Sequence, residues 1–124
     1  MKAIYIIPGN PIPLARPRLG RNGVFDSQKK IKEQIELLLL SMRGSRQILS
    51  GPIHFGITCF MRKPKKMNPD ECQCVTKPDL DNMIKFYSDV ANGILYYDDK
   101  QIVKITAEKK YDDDPRTELW IQEI

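Results

Sequence analysis

The residue types able to do chemistry concentrate in Lys77-Pro78-Asp79-Leu80-Asp81-Asn82-Met83-Ile84-Lys85. Asp79 and Asp81 stand two apart. In extended chain they point the same way; in an ideal helix they diverge by about 200°. Their joint use requires a helix that begins within or after the pair. Both then sit at its positive end, where carboxylates are favoured. Asp81 and Lys85 are four apart and share one helix face. Asp98-Asp99 follows, just ahead of the next strand, and a short loop folds the pair back beside the N-terminus of the helix only if helix and strand run antiparallel. Aspartate oxygens suit hard divalent cations such as Mg²⁺, which keep waters and leave positions for phosphate oxygens. Such a site readies water for attack on a phosphodiester, and a nearby lysine stabilises charge developing at phosphorus. Each piece also has an ordinary use. Asp before a helix caps it, an i,i+4 Asp–Lys pair decorates many surfaces, and paired loop aspartates face water. The EF-hand pattern fails, because Met83 stands where a third oxygen ligand belongs and the required glycine is absent.

Other groups carry less. Cys72-x-Cys74 with Cys59 and His54 makes a poor zinc set, since His54 and Cys59 fall on opposite faces of one strand and Cys-x-Cys lacks the usual gap. Cys59 reads as a small core residue, and lone His54 is no credible base. Trp120, Tyr96 and Tyr97 read as core or interface aromatics before base-stacking ones.

These residues must be positioned by a framework. Ala3 to Ile7 is an apolar run closed by Pro8 and predicts a first strand. The prolines from Pro8 to Pro17 forbid helix, so an extended loop carries Arg16, Arg18 and Arg21 through to Gly23. A helix capped by Asp26 or Ser27 places Ile31, Ile35, Leu38 and Leu39 on one side and ends around Met42 to Gly44. Pro52 to Met61 alternates, with Ile53, Phe55, Ile57, Cys59 and Met61 on one face. A basic loop, Arg62-Lys63-Pro64-Lys65-Lys66, and a turn at Asn68-Pro69-Asp70 come next. A second helix runs from Asp79 to about Asn92, with Leu80, Met83, Ile84, Tyr87, Val90 and Ala91 along one side. Strands near Gln101 to Lys110 and Thr117 to Ile124 are expected to pair as a hairpin around Asp112-Asp113-Asp114-Pro115. The order β-α-β-α-β-β predicts an α+β fold: two helices packed on one mixed β-sheet.

The chain has 124 residues, enough for one domain spanning 1–124. Three cysteines without an export signal fit a reducing cytoplasm better than a disulfide scaffold. No apolar run approaches a membrane span, so no membrane role is expected. The net charge of +4 hides an asymmetry. Residues 1–78 carry 14 Lys and Arg against 5 Asp and Glu; residues 79–124 carry 6 against 11. A basic front half attracts polyanions. An acidic back half repels them unless its carboxylates hold cations, which again points to metal-assisted chemistry on phosphate.

Asp79-Leu80-Asp81-Asn82 with Lys85, then Asp98-Asp99-x-Gln101-Ile102-Val103, resembles the RusA family of Holliday junction resolvases. The first strand leading into a proline-rich loop with Arg16-Pro17-Arg18 is similar too. The resemblance implies a RusA-like homodimeric endonuclease, often prophage-encoded, acting in DNA recombination and repair with no other protein partner. It implies that four-way DNA junctions are cut by symmetric paired nicks with Mg²⁺, for which Mn²⁺ substitutes. Carried over by position, the catalytic residues are Asp79, Asp81, Lys85 and Asp99, with Asp79, Asp81 and Asp99 as metal ligands. Asp98 faces away from Asp99 in extended chain and ranks lower. Arg16, Arg18, Arg21, Arg62, Lys63, Lys65, Lys66 and Lys77 are the expected DNA contacts. Pro78 intervenes where some members place a second basic residue. A non-catalytic branched-DNA-binding accessory protein of the same fold is the alternative.

Overall fold

The computed structural model describes residues 2–15, 18–21, 23–66 and 74–124. Its elements are β1 (Lys2–Pro8), β2 (Arg18–Gly20), β3 (Gly23–Phe25), α1 (Lys29–Arg43), β4 (Ile53–Arg62), α2 (Leu80–Ala91), a short 3-10 helix (Asp99–Gln101), β5 (Ile102–Asp112) and β6 (Arg116–Glu123). The fold is α+β, with two helices on a mixed four-stranded sheet of order β1-β6-β4-β5. β6 pairs antiparallel with both β1 and β4, whereas β4 and β5 are parallel.

Parallel neighbours need a crossover rather than a tight turn. Between β4 and β5 that crossover is α2. The expected β5–β6 hairpin is therefore corrected: β4 lies between the two strands. The Asp113–Pro115 connection steps over β4 because β4 offers β6 the apolar partners Phe55 and Ile57 opposite Ile121 and Leu119. A second correction falls in the loop after β1. Residues 18–20 and 23–25 pair as a small antiparallel β2–β3 hairpin, in which Gly23 takes a left-handed φ of 106° open to glycine. The turn expected at Asn68-Pro69-Asp70 lies outside the described residues.

Burial follows the periodicities. Ile53, Phe55, Ile57 and Cys59 of β4 are buried, as are Tyr5 and Ile7 of β1 and Leu119 and Ile121 of β6. On this face the helices add Ile35 and Leu39 from α1 and Met83, Phe86, Tyr87, Val90 and Ala91 from α2. Neither Asp26 nor Ser27 caps α1; Gln28 occupies the cap position without a capping bond. Asp26 instead accepts from the Gln28 N–H at 2.9 Å and from Lys32 Nζ at 2.8 Å. On the opposite face Trp120 lies over Gly56, where an added Cβ would fall 1.8 Å from the indole.

Candidate active site

The α2 helix begins at Leu80, inside the Asp79–Asp81 pair. Asp79 is extended (φ −70°, ψ 140°), and its side chain makes no capping bond. Its carbonyl accepts the Met83 N–H at 3.3 Å. Asp81 sits in the first turn, and Lys85 lies one turn further on; both are exposed. The break in conformation that joint use of the two aspartates required is present.

The expectation that Asp99 folds back beside the helix N-terminus is corrected: it reaches the same helix from its far end, because the start of an antiparallel strand lies at the end of the helix. β5 runs back along α2: Asp99, ahead of the strand, stands with Ser88, while Lys109 near its end meets Pro78. Asp81, Lys85, Ser88 and Asp99, with Ile84 and Ile105, line one hollow of about 450 Å³. A neighbouring hollow of about 410 Å³ joins Lys85 and Asp99 to Asp26, Lys32 and Asp89. Lys32 bridges the helices there, 2.8 Å from Asp26 and 3.5 Å from Asp89.

Asp98 does not simply face away from Asp99, because the extended chain ends there. Asp98 (φ −155°, ψ 139°) caps the 3-10 helix, accepting the Lys100 N–H at 3.0 Å while Gln101 accepts the Asp98 N–H at 2.9 Å. Gln101 Nε2 also donates to the carbonyls of Leu49 (2.9 Å) and Gly51 (3.0 Å), which fixes the turn against the sheet. The Lys100 N–H holds the Asp98 carboxyl below its usual range. Partial burial, then the adjacent Asp98 carboxyl, pushes Asp99 above it. Asp98 thus caps the 3-10 helix, and Asp99 lines the hollow.

The donor set fits a hard divalent cation by type: carboxylates of Asp81 and Asp99 in one hollow, with Asp79 at the helix end. Among the described residues no three His, Cys, Asp or Glu side chains stand close enough to share an ion. Asp79 and Asp99 approach α2 from opposite ends, so the three carboxylates lie along the helix rather than around a point.

Of the expected DNA contacts, Arg62 and Lys77 come together, lining a hollow of about 480 Å³ with Asn10, Thr76 and Tyr111 beside Pro78. Lys65 and Lys66 are exposed, and Lys63 lies 3.2 Å from Asp113. Arg21 is exposed at the tip of the β2–β3 hairpin, and Arg18 opens β2. Arg16 and the side chain of Arg18 lie outside the described residues, as does Cys72. His54 packs edge-on against Trp120 and approaches Thr106 Oγ1 at 2.7 Å, while Cys59 is buried on the other face, its thiol pushed up to about 12 by burial.

Sequence reasoning missed the residues that hold the proline-rich loop. Ile12 N–H donates to Tyr87 Oη (3.0 Å) and Leu14 N–H to the Asn82 carbonyl (3.0 Å). Gln28 grips the loop twice, accepting the Ala15 N–H and donating to the Pro13 carbonyl, each at 2.9 Å. It also missed Lys109 and Tyr111. Their signal was available: β5 loses its apolar alternation at these positions.

Fold and hollow together define the class, a small α+β protein with acidic and cationic groups gathered on one crossover helix. A family model described as Endodeoxyribonuclease RusA matches residues 8–122, and the chain belongs to the RusA endodeoxyribonuclease family. It is also similar to the uncharacterized protein YqaN of Bacillus subtilis (strain 168), 28% identical over 135 residues that cover 97% of this chain and 95% of that one. Membership implies nuclease activity, and nucleases of this family are metal-dependent. No helix among the described residues is long and apolar enough to cross a membrane.

Proposed function

We propose that this chain is a Mg²⁺-dependent, structure-specific endodeoxyribonuclease that resolves four-way DNA junctions, working as a homodimer with residues 1–124 as one catalytic domain. The observation that carries the reading is the shared hollow of Asp81, Lys85 and Asp99. Asp79, Asp81 and Asp99 would hold the cation, Asp81 and Asp99 from the shared hollow and Asp79 from the start of α2. A bound Mg²⁺ supplies Lewis acidity and an activated water at the phosphodiester. Lys85, exposed on the same helix face, donates to a phosphate oxygen as charge builds on it. Attack leaves a 5′-phosphate and a 3′-hydroxyl, ends a ligase can seal.

Arg62 and Lys77 grip backbone phosphates beyond the N-terminal end of α2, and Arg16, Arg18, Arg21, Lys63, Lys65 and Lys66 extend that contact along the arms. Such contacts position the duplex and carry little sequence choice. A junction has two-fold symmetry and needs two cuts, which two identical subunits on a two-fold axis supply.

Incubating a synthetic four-way junction with the protein and Mg²⁺, then with EDTA, tests this. Paired nicks near the crossover that vanish with EDTA are expected. Asp81→Asn abolishes cutting and keeps junction binding. Tight binding without nicks in the wild type would make the chain a branched-DNA-binding accessory protein instead.

A further inference from the structure

We propose that Lys109 and Tyr111 are positioning residues for Asp79, locking the backbone just ahead of it onto β5; this rests on Asp79 being a metal ligand. The helix-side face of β5 carries Ile105 and Ala107 opposite Phe55 and Ile57, then Lys109 and Tyr111 opposite Cys59 and Met61. Periodicity calls for an aliphatic residue at 109, and the structure has a half-buried lysine there. An ammonium drawn partly out of water needs acceptors. Lys109 Nζ has two, the carbonyls of Thr76 at 2.6 Å and Pro78 at 2.9 Å. Tyr111, two residues along the same face, places its hydroxyl 3.1 Å from Thr76 Oγ1, which lies 3.5 Å from Cys74 Sγ.

The Pro78 carbonyl belongs to the peptide unit whose nitrogen is that of Asp79, so the anchor acts directly on the backbone that aims the Asp79 side chain. Little else does. The Asp79 carboxylate makes no capping bond, and Pro78 has no N–H with which to hold the chain. A general strut could grip this connection anywhere; Lys109 grips the carbonyl directly before Asp79 and one two residues earlier. A ligand that must close on an ion with partners from the other end of a helix depends on such support. Loss of it typically costs about 10- to 100-fold in metal affinity or activity.

The test uses Lys109→Met, Lys109→Arg and Tyr111→Phe in the full chain, with three readouts. These are amide hydrogen exchange in metal-free protein, Mn²⁺ affinity by calorimetry, and junction cutting against Mn²⁺ concentration. In Lys109→Met we expect exchange to quicken about tenfold at Met83, whose N–H bonds the Asp79 carbonyl, and not at Val90 or Ala91. Mn²⁺ affinity falls about tenfold or more. Lys109→Arg restores most of both. Tyr111→Phe, which removes one hydroxyl and no core volume, shifts both in the same direction by a few-fold and carries the test if Lys109→Met does not fold. Wild-type exchange at Met83 with wild-type Mn²⁺ affinity overturns the proposal, as does equal quickening along all of α2. Asp81→Asn separates the two ideas: if it binds Mn²⁺ and cuts like wild type, the reading of the site fails, whatever the exchange data show.

Discussion

Lys85 faces the hollow between Asp81, one turn before it, and Asp99, which arrives from the connection after the helix. A cation placed between two carboxylates serves either to neutralise them or to meet a substrate anion, and its exposure on the helix surface favours the second. Lys85→Met is therefore expected to slow single-turnover cutting by about 10²- to 10³-fold, the loss seen when one transition-state donor is removed. Junction affinity in EDTA should barely change, and a gel-shift titration beside the cleavage assay separates the two. Away from the site, Arg116 reaches Asp112 at 2.6 Å and holds its carboxyl below the usual aspartate value of 3.8. The native state then binds fewer protons than the unfolded chain. Stability from this pair is present above that ordinary value and is lost as pH falls through the lowered one. Urea midpoints measured downward from about pH 5 should drop for the wild type and drop less for Asp112→Asn.

The element that matters most is α2, because one helix serves three purposes. It buries Met83, Phe86, Tyr87 and Val90 against the sheet, connects the parallel strands β4 and β5, and presents Asp81 and Lys85 outward. Its Asn82 carbonyl and Tyr87 hydroxyl also dock the proline-rich loop, which Gln28 fastens as well. Gln28→Ala removes two hydrogen bonds from that loop. We expect about 1–2 kcal/mol of lost stability by urea denaturation and weaker junction binding with cutting at saturation little changed. In the sheet, β4 passes beneath Trp120 only because position 56 has no side chain. Gly56→Ala must displace the indole and should cost about 1–3 kcal/mol, read as a lower urea midpoint at unchanged slope.

Over the whole molecule, charge is sorted rather than spread. The lysine and arginine excess lies in the first 78 residues and the acidic excess in the rest, yet the fold puts Arg62 and Lys77 at the same end of α2 as Asp79. A duplex held by these cations, as proposed, would bring a phosphodiester toward the start of α2. Affinity for a four-way junction should fall steeply with salt. Replacing Arg62 and Lys77 together by alanine should flatten the slope of log affinity against log salt by about 2, measured by fluorescence anisotropy in EDTA.

Local periodicity is written in the chain itself, and it determined the elements. The alternation from Ile53 to Cys59 marked a strand with one buried face, and Met83, Tyr87 and Val90 marked the buried side of α2, because each pattern depends on residues only two to four apart. The Asp-x-Asp motif and its lysine were legible for the same reason. Only the tertiary structure decided that β6 enters between β1 and β4, that β5 runs parallel to β4, and that Asp99 therefore comes to Lys85 and Ser88 rather than to Asp79. Lys109 belongs with these. Its partners, the carbonyls of Thr76 and Pro78, lie 33 and 31 residues away along the chain. Strand order and backbone acceptors arise from contacts between distant segments, and no spacing within a segment encodes them.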